Sequence, residues 1–322
     1  MPSIRGKRGA AIAALVRVSR RNEPNNDSMP AERTKDVVKA RLMLVMLSLG
    51  WGVTWPFMRI ALTELPPFSM RVATTCLGAL TLSLLAHLQG RSLAIKQRKD
   101  WVHVFVAAQC NIVAFSIFTP FAQLSAATLR VAIVVYTMPI WASLLAWPIL
   151  DERLSTARAA ALVLCAIGMA VLIYPLATAG VAGGILLALG AAVSWAAGTV
   201  YLKWARIDAD PMAIAVWQLV VGCITVSACL PVFEGALHLW PLHAGPLLSL
   251  MFIGLIGSGI AYFLWFDLVR RVPAMTASLG VLSVPVIGVV SSVMLLGEWP
   301  THADMVGFAL IFAASACVLL WP

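Results

Sequence analysis

Apolar stretches of about 20 residues recur from Leu42 to the end of the chain, separated only by short polar breaks. Each stretch is long enough for a helix to cross the hydrocarbon core of a bilayer, because a helix rises about 1.5 Å per residue. The composition agrees, since 61% of the 322 residues are hydrophobic and 11% are charged, whereas a soluble domain has about 25% charged residues. The sequence therefore predicts an all-α polytopic membrane protein rather than a set of soluble domains.

We predict ten membrane-spanning helices. Their ranges are 42–61, 67–88, 101–122, 125–148, 155–174, 182–203, 211–233, 246–269, 273–296 and 303–321. All six cysteines fall inside these spans, and none belongs to a CxxC pair. We therefore expect them to pack as small apolar residues, and we expect neither a metal site nor a cofactor.

The first 41 residues differ from the rest because they are basic and polar, and they hold ten Lys or Arg residues. We expect residues 1–41 to form a mobile cytoplasmic tail. The apolar run at 10–16 is too short to span a membrane and lacks a small-residue cleavage site, which argues against a cleaved signal peptide. Met1 and Met29 are both candidate translation starts.

The basic residues also predict the orientation, because Lys and Arg are retained on the cytoplasmic side of short loops. With the N-terminus inside, 20 of the 23 Lys and Arg residues lie in the tail and in the predicted inner loops, and the outer loops hold none. Both termini are therefore predicted to be cytoplasmic, with the protein in the inner (plasma) membrane. The net charge of +9 matches an anionic lipid leaflet as a partner better than it matches nucleic acid.

Two motifs recur at a similar offset and indicate an internal duplication. Residues 49–55 resemble residues 189–195, an offset of 140, with one Gly, one Val and one Trp retained. Pro139 precedes Glu152 by 13 residues, as Pro285 precedes Glu298, at an offset of 146. We interpret Glu152 and Glu298 as structural residues that close helices 4 and 9.

Five helices in each half is an odd number, so the second half (182–321) would enter the membrane from the side opposite to the first (42–174). The charges agree, because Arg270 and Arg271 follow helix 8 while the matching loop of the first half has no basic residue. The predicted fold is thus two inverted five-helix repeats. Inverted repeats frame a central site that is exposed to each side of the membrane in turn.

With these motifs, the chain resembles the EamA branch of the drug/metabolite transporter superfamily. The resemblance covers residues 42–321 and is carried by Gly50-Trp51-Gly52 through Trp55, by Leu65-Pro66-Pro67 leading to Arg71, by Pro139 with Asp151-Glu152-Arg153, and by Pro285 with Leu296-Gly297-Glu298. Asp151-Glu152 stands where Gly-Glu is the usual form. The resemblance implies ten helices in an inverted duplication and transport of small solutes, often efflux of amino acids or related metabolites.

Polar and aromatic residues inside spans are the candidate substrate contacts, because a polar group in hydrocarbon is costly unless it serves a cavity or has a partner. They are Trp51, Trp55, Arg71, Asn111, Arg130, Tyr136, Trp195, Trp217, Gln218 and Tyr262. The two arginines could equally snorkel to lipid headgroups. The two amides could equally form an interhelical hydrogen bond. Asp267 is the one acid that we place within a span.

Three prolines fall inside predicted helices, namely Pro56, Pro139 and Pro285. A proline removes one backbone hydrogen bond and favours a kink. Because broken helices take part in gating in many transporters, we predict a kink or gating role for these prolines.

The predicted function is transport, in the direction of export, of small organic metabolites such as amino acids by alternating access. One alternative is a polytopic membrane enzyme acting on lipid-soluble substrates, although the five histidines are scattered and no catalytic motif is present. A sugar-phosphate or nucleotide-sugar carrier is another, and it would need several buried Lys or Arg residues. We expect no enzymatic activity. Monomer and homo-oligomer are both open.

Overall fold

The computed structural model describes residues 30–151, 156–178, 183–271 and 283–320. Within these ranges every regular element is helical, which confirms the all-α prediction for this part of the chain. The helices in chain order are α1 (Pro30–Ala61), α2 (Pro67–Leu88), α3 (Arg98–Ser125), α4 (Thr128–Leu150), α5 (Thr156–Thr178), α6 (Gly183–Ala205), α7 (Pro211–Phe233), α8 (244–271), α9 (Ser283–Leu296) and α10 (His302–Leu320).

The helix ends follow from local sequence chemistry. Pro67 and Pro211 occupy the first positions of α2 and α7, where a missing N–H costs nothing. The Asp210 side chain accepts a hydrogen bond from the Met212 N–H and caps α7. Asp151 and Gly297 adopt left-handed backbone angles directly after α4 and α9, a conformation that commonly ends a helix.

One predicted boundary is wrong. Helix α1 begins at Pro30 rather than at residue 42, so the last 12 residues of the predicted tail are helical. Lys, Arg, Glu and Ala are good helix formers, and a proline suits the first turn. By its contacts the chain divides into two units, with the boundary between Leu42 and Met43. The remainder of the predicted tail, 1–29, lies outside the described residues.

In the described part of the chain, seven helices are long and apolar enough to cross a membrane. They are α1 from Arg41 onward, α2, α3, α4, α6, α7 and α8 up to Leu268. Shorter apolar runs occupy α5, α9 and α10. The first ten residues predicted for helix 9, 273–282, are outside the described part of the chain. The protein is thus a multi-pass membrane protein.

Within residues 43–322, most packing joins helices of the first half to helices of the second. Helix α5 packs on α10, α2 on α7 and α8, α3 on α6 and α7, and α4 on α6 and α9. Each helix of the first half can be exchanged with the helix of the same rank in the second half. Under this exchange the contact between α2 and α8 becomes the contact between α7 and α3, which is also present. Likewise α3–α6 maps onto α8–α1, where Gly257 lies against Thr54.

The third helix of each half contains a π-helical segment. In α3 it covers Gln109–Ala114, and in α8 it covers Phe252–Ile260. A π segment inserts extra backbone into the helix and is frequent at functional sites. The two segments begin 143 residues apart, within the range of the offsets between the repeated sequence motifs.

Candidate functional site

Aromatic side chains from both halves meet in the bundle. Trp51 of α1 lies edge-on to Tyr262 of α8, with ring centroids 5.8 Å apart. Tyr262 also lies 6.4 Å from Trp195 of α6, and Trp195 lies 5.0 Å from Phe115 of α3. We call Trp51, Phe115, Trp195 and Tyr262 the aromatic cluster. Three of its four members are residues that the sequence analysis singles out.

The π segment of α8 forms a hydrogen bond with Trp51, one member of the aromatic cluster. The indole N–H of Trp51 donates to the carbonyl of Gly257 at 3.1 Å. Helix α1 can approach this segment because Gly257 has no side chain, and a Cβ there would lie 2.7 Å from Thr54 Oγ1. The orientation of the Trp51 ring is therefore fixed by the irregular backbone of the opposite half.

Arg71 is buried beside this cluster rather than extended toward the membrane surface. Arg71 is 7% exposed. One guanidinium nitrogen donates to the Thr119 hydroxyl and to the Met58 sulfur. The Nε atom has no hydrogen-bond partner. This placement does not fit the snorkelling alternative, which needs the charged group to lie in water.

Trp55 and Tyr136 form a second group, next to a cavity. The Trp55 indole N–H donates to the Tyr136 hydroxyl at 3.3 Å, and the Trp55 carbonyl accepts from Gln123 at 3.1 Å. Tyr136, Pro139 and Pro285 line a largely apolar cavity of about 300 Å³ between α4, α9 and α10. Helix α4 is interrupted at Tyr136 and Thr137, just before Pro139, as the missing proline N–H would favour. No such interruption occurs in α1 at Pro56.

The two amide candidates bind each other across the halves. Asn111 of α3 donates to the Gln218 side-chain oxygen of α7 at 3.0 Å, and both residues are buried. This is the interhelical hydrogen bond that the sequence analysis held open as the alternative role. The Asn111 side-chain oxygen has no partner. Trp217 is not part of the aromatic cluster. Its indole N–H donates to the Leu93 carbonyl at 2.7 Å.

Arg130 is paired with an acid that the sequence analysis overlooked. Its guanidinium makes a two-pronged ion pair with Asp304, at 2.6 and 3.0 Å. Asp304 is 2% exposed and lies within the predicted span 303–321, so Asp267 is not the one acid of the predicted spans. Nearby, the Glu298 carboxylate accepts the Leu129 N–H at 3.0 Å and caps the start of α4. Glu152 lies outside the described residues.

Much of the aromatic cluster was thus predicted from the sequence, whereas several of the residues that support it were not. Phe115, Thr119 and Met58 are ordinary residues of apolar spans, and only the tertiary structure brings them to the cluster. The π segments have no signal in the sequence beyond the glycines of α8. In the described residues, no three His, Cys, Asp or Glu side chains come together as metal ligands.

A family model described as "EamA-like transporter family" matches residues 38–174 and, a second time, residues 182–320. The chain belongs to the EamA-like transporter family. It is 30% identical to the uncharacterised transporter YvbV of Bacillus subtilis, over 88% of this chain and 93% of that protein. It is also 29% identical to a probable amino-acid metabolite efflux pump of Salmonella typhimurium, over 51% of this chain and 58% of that protein.

A solved crystal structure adds support for the fold. It matches this EamA protein with a TM-score of 0.62 at 23% identity, over 88% of this chain and 98% of the other. Together with the spanning helices, family membership makes the protein a multi-pass membrane transporter. The aromatic cluster, Arg71 and the cavity beside Tyr136 are then the places where a solute could be bound.

Proposed function

We propose that this EamA protein exports small organic metabolites, amino acids first, by alternating access through a passage between two inverted five-helix halves. The first half comprises residues 42–174 and the second comprises residues 182–321. In this proposal the ten helices all span the inner membrane, and both termini lie in the cytoplasm.

The observation that carries the proposal is the origin of the aromatic cluster. Trp51 and Phe115 come from the first half, whereas Trp195 and Tyr262 come from the second. A solute held among these rings would contact both halves, so a rocking motion of one half against the other would change its access. The relative that is named as an efflux pump for amino-acid metabolites supports the substrate class and the direction.

Contacts between the halves at one end of the bundle suit a closed outer gate. Glu234, which follows α7, accepts the N–H groups of Phe68 and Ser69 at 2.6 and 2.9 Å and caps α2. Glu64 bonds the His243 ring at 2.7 Å, and the His243 backbone N–H lowers the pKa of the Glu64 carboxyl. The distribution of Lys and Arg predicts that this end lies outside. Opening to the outside would then require these contacts to separate.

The sugar-phosphate alternative is less well supported. A phosphate group needs several buried cationic donors. Among the described Lys and Arg residues, Arg71 is buried, and Arg91, whose side chain is 9% exposed, already has Asp210 as its partner.

An efflux assay tests the proposed function. Cells that overproduce the protein, and cells with an empty vector, are loaded with a dipeptide of one amino acid at a time, and the free amino acid released outside is measured. We expect several-fold faster release of at least one apolar or aromatic amino acid. The Trp195→Leu variant should fall to the vector level, because it loses the ring between Phe115 and Tyr262.

Trp299→Leu is the matched control, since Trp299 is 79% exposed and lies outside the cluster. Both variants are compared at equal abundance in the membrane. Release no faster than from vector cells for every amino acid, or full activity of Trp195→Leu, would contradict the proposal.

A further inference from the structure

The charge of Arg71 has no counterpart in the described structure. Its two hydrogen-bond acceptors, the Thr119 hydroxyl and the Met58 sulfur, are uncharged. The ion pairs of the described residues use Arg91, Arg130 and His243 instead. A buried cation without an opposite charge is strongly disfavoured in a membrane interior. Such a group persists where a ligand supplies the missing charge.

The guanidinium adjoins the aromatic cluster. The Thr119 hydroxyl that accepts from Arg71 donates in turn to the Phe115 carbonyl at 2.8 Å. Phe115 packs on Trp195 at 5.0 Å. Arg71 also lies near Tyr262. The unpartnered Nε of Arg71 is buried in this conformation, so a solute lying on the rings would reach it once the two halves separate.

Acidic side chains make no described contact with this region. The described Asp and Glu residues lie in loops or within one or two turns of a helix end. They are Glu32, Asp36, Glu64, Asp100, Asp151, Asp208, Asp210, Glu234, Asp267, Glu298 and Asp304. The described hydrogen bonds and ion pairs join none of these acids to Arg71 or to the aromatic cluster.

We propose that Arg71 binds the carboxylate of the transported solute while the aromatic cluster holds an aromatic or large apolar body. The guanidinium fork matches the geometry of a carboxylate and can donate two parallel hydrogen bonds. Since the described contacts of this site include no acid that would receive an ammonium group, a carboxylate is required for tight binding and an amino group is not. This inference rests on the proposed transport function and narrows its substrate class to organic carboxylates.

Three solutes with the same benzyl group separate the contributions. L-phenylalanine carries both charges, 3-phenylpropanoate carries only the carboxylate, and L-phenylalaninamide carries only the ammonium. Their affinities for the purified full-length protein in lipid nanodiscs are measured by calorimetric titration. We expect both acids to bind at least about tenfold more tightly than the amide, as hydrogen bonds to charged groups imply.

Arg71→Gln should weaken the binding of the two acids by at least about tenfold and leave the amide nearly unchanged. The ratio of acid to amide affinity is the decisive readout, because a purely structural role of Arg71 would weaken all three solutes alike. Arg71→Lys keeps the charge but loses the fork, so its ratio should be intermediate. Arg59→Gln is the matched control, since Arg59 donates to the Gln123 carbonyl at 2.6 Å and should leave the ratio unchanged.

Equal affinity for acids and amide, or a wild-type ratio in Arg71→Gln, would overturn the inference and leave the proposed export standing. Failure of the wild-type protein to bind any of the three solutes would also overturn it. The proposed function itself is tested separately, by the dipeptide-loading assay. If Arg71→Gln does not fold, Arg71→Lys decides, and a wild-type ratio in that variant contradicts the inference.

Discussion

At the scale of single residues, Arg71 and Arg130 occupy similar positions in their helices but have different partners in the folded structure. Each arginine lies in the first turns of a helix that the charge distribution predicts to enter from the outside. Arg130 meets a buried carboxylate, whereas the described acceptors of Arg71 are neutral. The sequence could not separate the two, because Asp304 lies 174 residues from Arg130.

Removing one partner of the Arg130–Asp304 pair should destabilise the protein. Arg130→Met leaves the Asp304 carboxylate buried without its cation, and such a loss costs about 3 kcal/mol. We expect the melting temperature in detergent to fall by several degrees. The double variant Arg130→Met/Asp304→Leu should recover much of this loss, because no isolated charge remains. Additive destabilisation in the double variant would show that the pair does not act as a unit.

At the scale of helices, the predicted boundaries agree with the structure where they depend on residues that are close together in the chain. Helices α2 and α7 match the predicted ranges because prolines fix their first turns. The start of α1 was missed because its first turns are charged, and the hydrophobic pattern gives no information there. The π segments of α3 and α8 could not be predicted, since they depend on packing between helices.

Close helix packing gives a prediction at this scale. Helix α2 meets α8 at Gly78, where a Cβ would lie 2.5 Å from the Ser258 Cβ. Gly78→Ala should therefore force the helices apart and cost about 1–3 kcal/mol, seen as a lower melting temperature. Gly50→Ala is the matched control, because the nearest atom to its Cβ, in Ile256, would lie 3.4 Å away. Equal melting temperatures for the two variants would contradict the tight contact.

At the scale of the whole molecule, several independent features repeat with the same order in both halves. The sequence motifs, the π segments and the cross-half helix contacts all map onto themselves when helices 1–5 are exchanged with helices 6–10. The proposed inverted duplication would account for all three. The motifs were visible in the sequence, whereas the contacts required the structure, because they join residues that lie far apart in the chain.

Cysteine labelling tests the inverted arrangement most directly. Single cysteines replace Asp151, after α4, and Gly297, after α9, in a variant without the six native cysteines. A membrane-impermeant maleimide should label Gly297→Cys in intact cells. It should label Asp151→Cys only after the membrane has been permeabilised. Labelling of both positions from the same face would contradict the inverted halves and the passage proposed between them.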